Sequence, residues 1–229
     1  MPRRPRIYLP GIPAHIVQRG NNREPCFYNF EDYRYYLQCL QHAKKRYTVE
    51  LHAYVLMTNH VHLLLTPSDA TGISRMMALI GKNYVMYINK TYKRTGTLWE
   101  GRHKSSLVDE ENYLLQCYKY IELNPVRAAM VNSPDEYVWS SYQHHAWGKY
   151  NDLISDHWLY TALAKEQEER QHVYRDLFKA ELFDSDVHEI SNATQFNFPL
   201  GNNRFKEKIE EMTKRKLGYA SSGRPSKTG

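Results

Sequence analysis

The order of hydrophobic periods along the first half of the chain limits its possible folds more than any other sequence feature. Some segments are apolar at alternate positions or without interruption, as in β-strands, and others have apolar residues three and four apart, as in amphipathic helices. The first pattern predicts strands at residues 12–18, 49–57 and 62–66, and residues 98–108 are expected to form a bend followed by a strand that carries exposed cations. The second predicts helices at residues 31–47, 73–92 and 110–123, and Pro125 closes the third helix.

The predicted order is therefore strand, helix, strand, strand, helix, strand, helix. Residues 57–59 separate the second strand from the third and are few enough for a hairpin. An antiparallel sheet in β-α-β-β-α-β order with two helices over one face is the ferredoxin-like arrangement. We therefore expect an α+β protein with a ferredoxin-like antiparallel sheet, helices on one face, and a mostly helical C-terminal extension.

The later part of the chain has a different pattern, and we expect three regions. The sheet domain occupies residues 1–148. Residues 149–217 form the extension, which is mostly helical from about 158 to 183 and has a short basic amphipathic helix at 205–217. Residues 218–229 are rich in glycine, serine and basic residues, so we expect a disordered basic tail.

The net charge of +6 is distributed unevenly. Residues 1–150 contain 19 Lys and Arg against 12 Asp and Glu, residues 151–199 contain 4 against 10, and residues 200–229 contain 8 against 3. Basic surfaces attract phosphate backbones, which makes nucleic acid the first partner to consider, although a solvated basic surface explains the charge as well. No apolar run is long enough to span a bilayer, so we expect a cytoplasmic protein with no membrane partner.

Two histidines, His60 and His62, stand at the start of the predicted third strand. Side chains two apart in a strand leave the same face, so the two imidazoles could bind one divalent ion. A chain with 11 histidines produces such a pair by chance often enough that two unrelated strand histidines remain the alternative. His103, His144 and His145 could add a ligand, but each lies among polar residues, and we expect surface or loop histidines there.

The predicted third helix carries a phenol and an amide on one face, because Tyr120 and Asn124 are four residues apart. A phenol is a potential nucleophile, and an amide carbonyl is a suitable oxygen ligand for Mg²⁺ or Mn²⁺. Tyr113 and Tyr118 are rival nucleophiles. Tyr118 lies about 200° around the helix from Tyr120, so both cannot face the same ion.

These motifs resemble those of the REP-associated tyrosine transposases, which belong to the one-tyrosine HUH superfamily of single-strand DNA nucleases. The resemblance runs from about residue 3 to 145 and rests on segments 57–65 and 118–127, supported by 18–23 and 96–102. It implies a ferredoxin-like nuclease domain over residues 1–148. It also implies that His60 and His62 bind Mg²⁺ or Mn²⁺, that Asn124 supplies the third ligand, and that Tyr120 is the nucleophile.

The function implied by the resemblance is cleavage and rejoining of single-stranded DNA with a hairpin, or REP-like, structure through a 5′-phosphotyrosine. The residues expected at the DNA are Arg3, Arg4, Arg6, Arg19, Asn21, Arg23, Arg102, Lys104 and Lys119. A non-catalytic nucleic-acid-binding regulator on the same fold is the alternative. A zinc hydrolase is a third possibility, although Asn is a poor zinc ligand. Monomer and dimer both remain open.

Overall fold

A computed structural model describes residues 6–217 of the chain, so that Arg3, Arg4 and the tail from 218 to 229 lie outside it. The strands are β1 (Ala14–Arg19), β2 (Val49–Met57), β3 (His60–Pro67) and β4 (Lys104–Leu107). The helices are α1 (Phe30–Arg46), α2 (Gly72–Thr91), α3 (Glu110–Glu122), α4 (Asn124–Arg127), α5 (Tyr142–Trp147), α6 (Trp158–Thr161), α7 (Gln167–Lys179), α8 (Asp184–Phe196) and α9 (Asn203–Thr213). Within this part of the chain, no helix has the length and apolar character needed to cross a membrane.

The four strands form one antiparallel sheet in the order β2-β3-β1-β4. With helices α1 and α2 as the two connections, this is the predicted ferredoxin-like topology, and the predicted α+β class is confirmed. The hairpin between β2 and β3 turns over Thr58 and Asn59. The two central strands are β1 and β3, which are paired with Val17 opposite His62 and Arg19 opposite His60.

Helices α1 and α2 pack together over one face of the sheet, as predicted. A capping box fixes the start of α1, in which the side chains of Asn29 and Asp32 each accept a hydrogen bond from the other's backbone N–H. Alternation along β3 directs Val61, Leu63 and Leu65 into this core. Their neighbours in the strand, including both predicted metal ligands, therefore point to the opposite face.

The opposite face of the sheet, which the sequence left open, is covered by α3 and by helices of the C-terminal extension. Leu64 of β3 packs in a second core with Leu114 and Ile121 of α3. Residues of the extension contribute to both cores, with Leu153 and Ile209 on the α1/α2 side and Tyr174 and Ile190 among those on the α3 side. The extension is thus packed onto the sheet.

Some predicted elements differ from those observed. The bend and strand predicted at 98–108 are present, with the strand confined to Lys104–Leu107 and with Trp99 paired to Gly20 before it. The helical stretch predicted from 158 to 183 is interrupted between α6 and α7. Helix α8 was not predicted, since its sequence DSDVHEISNATQF contains many residues of low helix propensity. Its apolar residues gain their helical order from packing on β4 and α3.

His52 joins the sheet to the extension. Its ring is buried, with Nδ1 donating to the Ser155 carbonyl at 2.7 Å and Nε2 accepting from the Thr66 hydroxyl at 2.8 Å. Burial lowers the pKa of His52 to about 4. The unfolded chain takes up this proton near pH 6.5, so the stability contributed by the neutral ring is complete above that pH and is lost as the pH falls towards 4.

We therefore expect acid to destabilise the protein partly through His52. Between pH 7 and pH 5, this one residue should lower the free energy of unfolding by about 2 kcal/mol. The substitution His52→Gln removes the titrating group and retains polar atoms, so the loss between the two pH values should be smaller by that amount. Urea denaturation at both pH values measures it. An equal loss in wild type and variant would contradict the assignment.

Candidate active site

A cleft of about 1050 Å³ opens over the face of the sheet that also carries α3. Its walls are formed by β1, β3, α3 and the segment from α8 to residue 200. The structure brings together here four residues that the sequence singled out: His60, His62, Tyr120 and Asn124. The histidines lie in β3 and the tyrosine in α3, and Tyr120 follows His62 by 58 positions in the chain.

The histidine pair lies at one end of β3, with both rings on the cleft side of the sheet. The ring centroids of His60 and His62 are 5.0 Å apart and their planes are at 73°. His62 is buried and His60 is half-buried. Tyr120 stands against His62 of this pair, with its ring centroid 5.7 Å from that of His62. The predicted ligands and the predicted nucleophile are thus direct neighbours.

A chain of hydrogen bonds holds His62 from behind. Its Nδ1 lies 2.9 Å from Nε2 of His15, whose Nδ1 lies 2.9 Å from the Thr194 hydroxyl. The Thr194 hydroxyl donates to the Ile190 carbonyl at 3.0 Å. A carbonyl only accepts, so the Thr194 hydroxyl is a donor there and accepts from Nδ1 of His15. Nε2 of His15 then accepts from Nδ1 of His62, which carries the proton. Nε2 of His62 then has a free lone pair, as in histidines that bind metals.

His60 is oriented in the same way by the turn between β2 and β3. Its Nδ1 lies 2.6 Å from Oδ1 of Asn59, and Nδ2 of Asn59 donates to the Arg23 carbonyl at 3.0 Å. The Arg23 turn is held close to this hairpin by Gly20, whose N–H donates to the Asn59 carbonyl at 2.8 Å and where an added Cβ would stand 3.3 Å from that oxygen. The polar turn after β1 therefore positions His60, whose Nε2 is left for a ligand.

Three imidazoles at the cleft are kept neutral by burial. It lowers the pKa of His15 to about 3 and that of His60 to about 4, and it places the pKa of His62 well below its usual range. A histidine binds a metal only in its neutral form. The site therefore offers two neutral ring nitrogens near neutral pH, which fits a bound divalent cation.

Asn124 completes the donor set. It is the first residue of α4, where Pro125 interrupts the helix that carries Tyr120. Its Nδ2 donates to the Tyr120 carbonyl at 2.7 Å, which leaves Oδ1 available beside His60. Two imidazole nitrogens and an amide oxygen form a mixed set compatible with Mn²⁺ or Mg²⁺.

The Tyr120 side chain is mostly buried, and burial raises the pKa of its phenol. Two cations oppose this shift: Arg127, whose guanidinium carbon lies 5.9 Å from the ring centroid, and Arg19. The free protein thus holds a neutral phenol, with positive charge nearby to stabilise a phenolate as it forms.

The rival tyrosines do not line the cleft. Tyr118 is fully buried on another side of α3, where it packs against His145 and Tyr174. Tyr113 donates a hydrogen bond to Glu189. Their positions agree with the helical spacing, which excluded a shared position for Tyr118 and Tyr120.

The residues expected at the DNA are only partly brought together. Four of them line the cleft: Arg6, Arg19, Arg102 and Lys104. Asn21 and Arg23 lie in the turn beside it, outside its lining. Lys119 does not face the cleft, because its ammonium group donates to the Ala180 carbonyl. Lys206 of α9 is a further cation in the cleft, which the sequence did not identify.

The sequence also missed His15, Thr194 and the wall formed by α8. Alternation along β1 places His15 on the same face as Arg19, a signal that was available in the sequence. Thr194 gave no such signal, because the sequence around residue 194 does not indicate that it contacts β1 in the folded chain. The expectation of surface or loop histidines was wrong for His145, which is fully buried in α5. His103 does lie in a loop, but it is buried and hydrogen-bonded to the Tyr8 hydroxyl at 2.7 Å.

Comparison with known proteins gives a family for this site. The profile of the IS200-like transposases matches residues 9–124, which include both histidines, Tyr120 and Asn124. A solved REP-associated tyrosine transposase bound to a REP hairpin has a similar fold, with a TM-score of 0.56, 18% identity, and coverage of 69% of this chain and 93% of that one.

A second solved structure, of a putative transposase from Deinococcus radiodurans R1, is 21% identical over 53% of this chain and 96% of that one, with a TM-score of 0.37. No curated protein sequence matches the chain. The family profile covers half of the sequence and includes the residues assembled in the cleft. The chain therefore belongs to the family of IS200-like transposases, which are DNA-processing enzymes.

Proposed function

We propose that this transposase is a metal-dependent single-strand DNA endonuclease and strand transferase that acts on REP-type hairpins through a 5′-phosphotyrosine. The observation that carries the proposal is the contact between Tyr120 and His62, whose ring centroids are 5.7 Å apart in a cleft lined by cations. A tyrosine beside neutral metal-binding histidines on a basic surface suits attack on a phosphodiester.

The residues that would hold the cation are His60, His62 and Asn124. Mg²⁺ or Mn²⁺ bound there would polarise the scissile phosphate and neutralise charge that develops on it. The chain's own contribution is orientation. His15 and Asn59 fix the two imidazole rings, and the Tyr120 carbonyl fixes the Asn124 amide.

The chemical step assigned to Tyr120 is an in-line attack of its phenolic oxygen on the phosphorus. A bond forms between Oη and phosphorus as the bond from phosphorus to the 3′ oxygen breaks. The phenol loses its proton to solvent, and the departing oxygen gains one to become a 3′-hydroxyl. Attack of another 3′-hydroxyl on the phosphotyrosine reverses the step and joins strands without an external energy source.

The cations lining the cleft, Arg6, Arg19, Arg102, Lys104 and Lys206, supply a path for the DNA backbone. The fold similarity to a protein solved with a REP hairpin supports a hairpin as the structured part of the substrate. We infer that phosphate contacts in the cleft hold the single strand beside Tyr120. The turn with Asn21 and Arg23 lies beside the cleft and would contact the hairpin, as would the arm that carries Arg3 and Arg4.

Cleavage of labelled oligonucleotides tests this function. Oligonucleotides are taken from palindromic repeats that flank the gene, with their single-stranded extensions, and are incubated with the full chain and Mn²⁺. We expect cleavage at one position and a covalent protein-DNA adduct, both abolished by a chelator. A perfect duplex of the same sequence is the control and should stay intact. Tight binding of hairpins without cleavage of any would instead support a non-catalytic regulator.

Removal of His15 should weaken metal binding without removing a ligand. In His15→Phe, the His62 ring loses the acceptor that orients it, so the Mn²⁺ concentration needed for half-maximal cleavage should rise by about 10- to 100-fold. Saturating Mn²⁺ should restore most of the cleavage rate, which a general loss of structure would not allow. Thr194→Val removes a hydroxyl that is one hydrogen bond further from the ion than His15, so it should raise the Mn²⁺ requirement by less. An unchanged Mn²⁺ requirement in His15→Phe would refute this role.

A further inference from the structure

A second cluster of ligating side chains lies on α5 and on the loop that leads to α6. His144 and His145 are adjacent in α5, and Asp156 lies in the loop. One ring nitrogen of each histidine and one carboxylate oxygen of Asp156 lie within 4.8 Å of one another. None of the three lines the cleft that holds Tyr120. They therefore form a group separate from the proposed active site.

His145 has a free ring nitrogen in the interior of the protein. Its side chain is fully buried, and its Nδ1 lies 2.9 Å from Oε1 of Glu122, to which it donates. Its Nε2 is also buried and has no hydrogen-bond partner within residues 6–217. Leaving a buried polar atom unpaired is unfavourable, so a native structure calls for an explanation of it. A lone pair aimed at a bound ion is such an explanation.

His144 has the same arrangement. Its Nδ1 lies 3.1 Å from the Lys149 carbonyl, so Nδ1 carries the proton and donates it. Its Nε2 lies 3.0 Å from Oδ1 of Asp156. In both rings, then, Nδ1 is bound to an oxygen and Nε2 is the remaining nitrogen. Histidines that bind metals show this outer-shell pattern. A simple ion pair of His144 with Asp156 leaves the bare Nε2 of His145 unexplained.

The position of His145 is fixed by a buried network. The Glu122 carboxylate accepts from Ser141 at 2.5 Å and from the Tyr174 hydroxyl at 2.7 Å, in addition to His145. The backbone carbonyl of His145 accepts from the Tyr160 hydroxyl at 2.8 Å. The ring is thus held by contacts with α3, α6 and α7. Such preorganisation favours a metal site, because binding then orders few additional groups.

We propose that His144, His145 and Asp156 bind one Zn²⁺ ion or a similar transition-metal ion. Two imidazole nitrogens and one carboxylate oxygen are ligands that Zn²⁺ prefers. The exposed side of Asp156 leaves room for water as a fourth ligand. Glu122 lies two residues from Tyr120 in α3, so the ion would fasten α5 and the loop of the extension to the helix that carries the nucleophile.

Zinc titration of a chain without the cleft ligands tests this site. The full chain with His60→Ala and His62→Ala is stripped of metal with a chelator, and Zn²⁺ binding is followed by calorimetry and metal analysis. We expect one Zn²⁺ per chain and a higher Tm on binding. Adding Asp156→Asn or His144→Gln should weaken Zn²⁺ binding at least ~100-fold, because each removes one of three protein ligands.

The matched control is His172→Gln, which removes an exposed histidine that pairs with Asp176 on α7. It should bind Zn²⁺ as tightly as its parent. The same substitutions in the otherwise wild-type chain give an independent count, in which Asp156→Asn should lose one equivalent of zinc and His172→Gln none. The proposal is overturned if the chain without cleft ligands takes up no Zn²⁺, or if Asp156→Asn and His144→Gln bind it as tightly as His172→Gln.

Discussion

Tyr120→Phe should abolish cleavage of a hairpin oligonucleotide and formation of the covalent adduct. The substitution removes the phenolic oxygen that we assign as the nucleophile and leaves the ring that packs against His15 and His62. We expect the cleavage rate to fall by at least about 1,000-fold, because the variant lacks the oxygen that attacks the phosphorus. Binding of the hairpin should change little, because the cations of the cleft remain. Gel assays of cleavage and of binding measure both effects.

Tyr118→Phe is the matched control. It removes the same atom from the same helix, but at a buried position away from the cleft, where the hydroxyl has no hydrogen-bond partner among the described residues. The variant should cleave at the wild-type rate and be at least as stable, since an unpaired buried hydroxyl contributes no stability. Loss of cleavage in Tyr118→Phe together with its retention in Tyr120→Phe would reverse the assignment.

The second large effect is expected from the histidine pair. His60→Ala and His62→Ala each remove one of three proposed ligands, so Mn²⁺ affinity should fall at least ~100-fold and cleavage at moderate Mn²⁺ should be lost. His60→Ala is the cleaner test because His60 is half-buried, whereas the buried His62 also supports His15. Calorimetric titration with Mn²⁺ and cleavage assays over a range of Mn²⁺ concentrations measure the two effects.

The control for this pair is His42→Ala. His42 is exposed on α1, over the opposite face of the sheet, and should affect neither Mn²⁺ binding nor cleavage. Retention of wild-type Mn²⁺ affinity in both His60→Ala and His62→Ala would show that the cation does not bind at the proposed site. Loss of hairpin binding together with cleavage would mean that the histidines act on DNA affinity.

Much of the fold follows from local patterns in the sequence. The alternation in β3 and the three- and four-residue spacing in α1, α2 and α3 depend on short segments, and the structure contains all four elements. The βαββαβ order then restricts the sheet to few arrangements. The pairs His60/His62 and Tyr120/Asn124 were visible for a similar reason, because the first lies within β3 and the second spans one helical turn from α3 to the start of α4.

The remaining parts of the site depend on contacts that local sequence does not encode. Helix α8 has a weak amphipathic pattern, and its Thr194 reaches His15 from 179 positions along the chain. Lys119 was expected at the DNA because of its charge, whereas its position on α3 directs it to the Ala180 carbonyl. His144 and His145 were expected on the surface or in a loop because each lies among polar residues. The sequence did not show that Asp156 lies near them, with one ligand atom of each of the three residues within 4.8 Å of the others.

The most direct test of the central claim is identification of the residue that becomes attached to DNA. The full chain is reacted with a hairpin oligonucleotide and Mn²⁺, the adduct is digested with protease and nuclease, and the peptide carrying the residual nucleotide is sequenced by mass spectrometry. The account predicts a phosphodiester between Tyr120 and the 5′ end of the cleaved strand. Attachment at Tyr113, Tyr118 or any other residue, or cleavage that leaves the chain unmodified throughout the reaction, would contradict it.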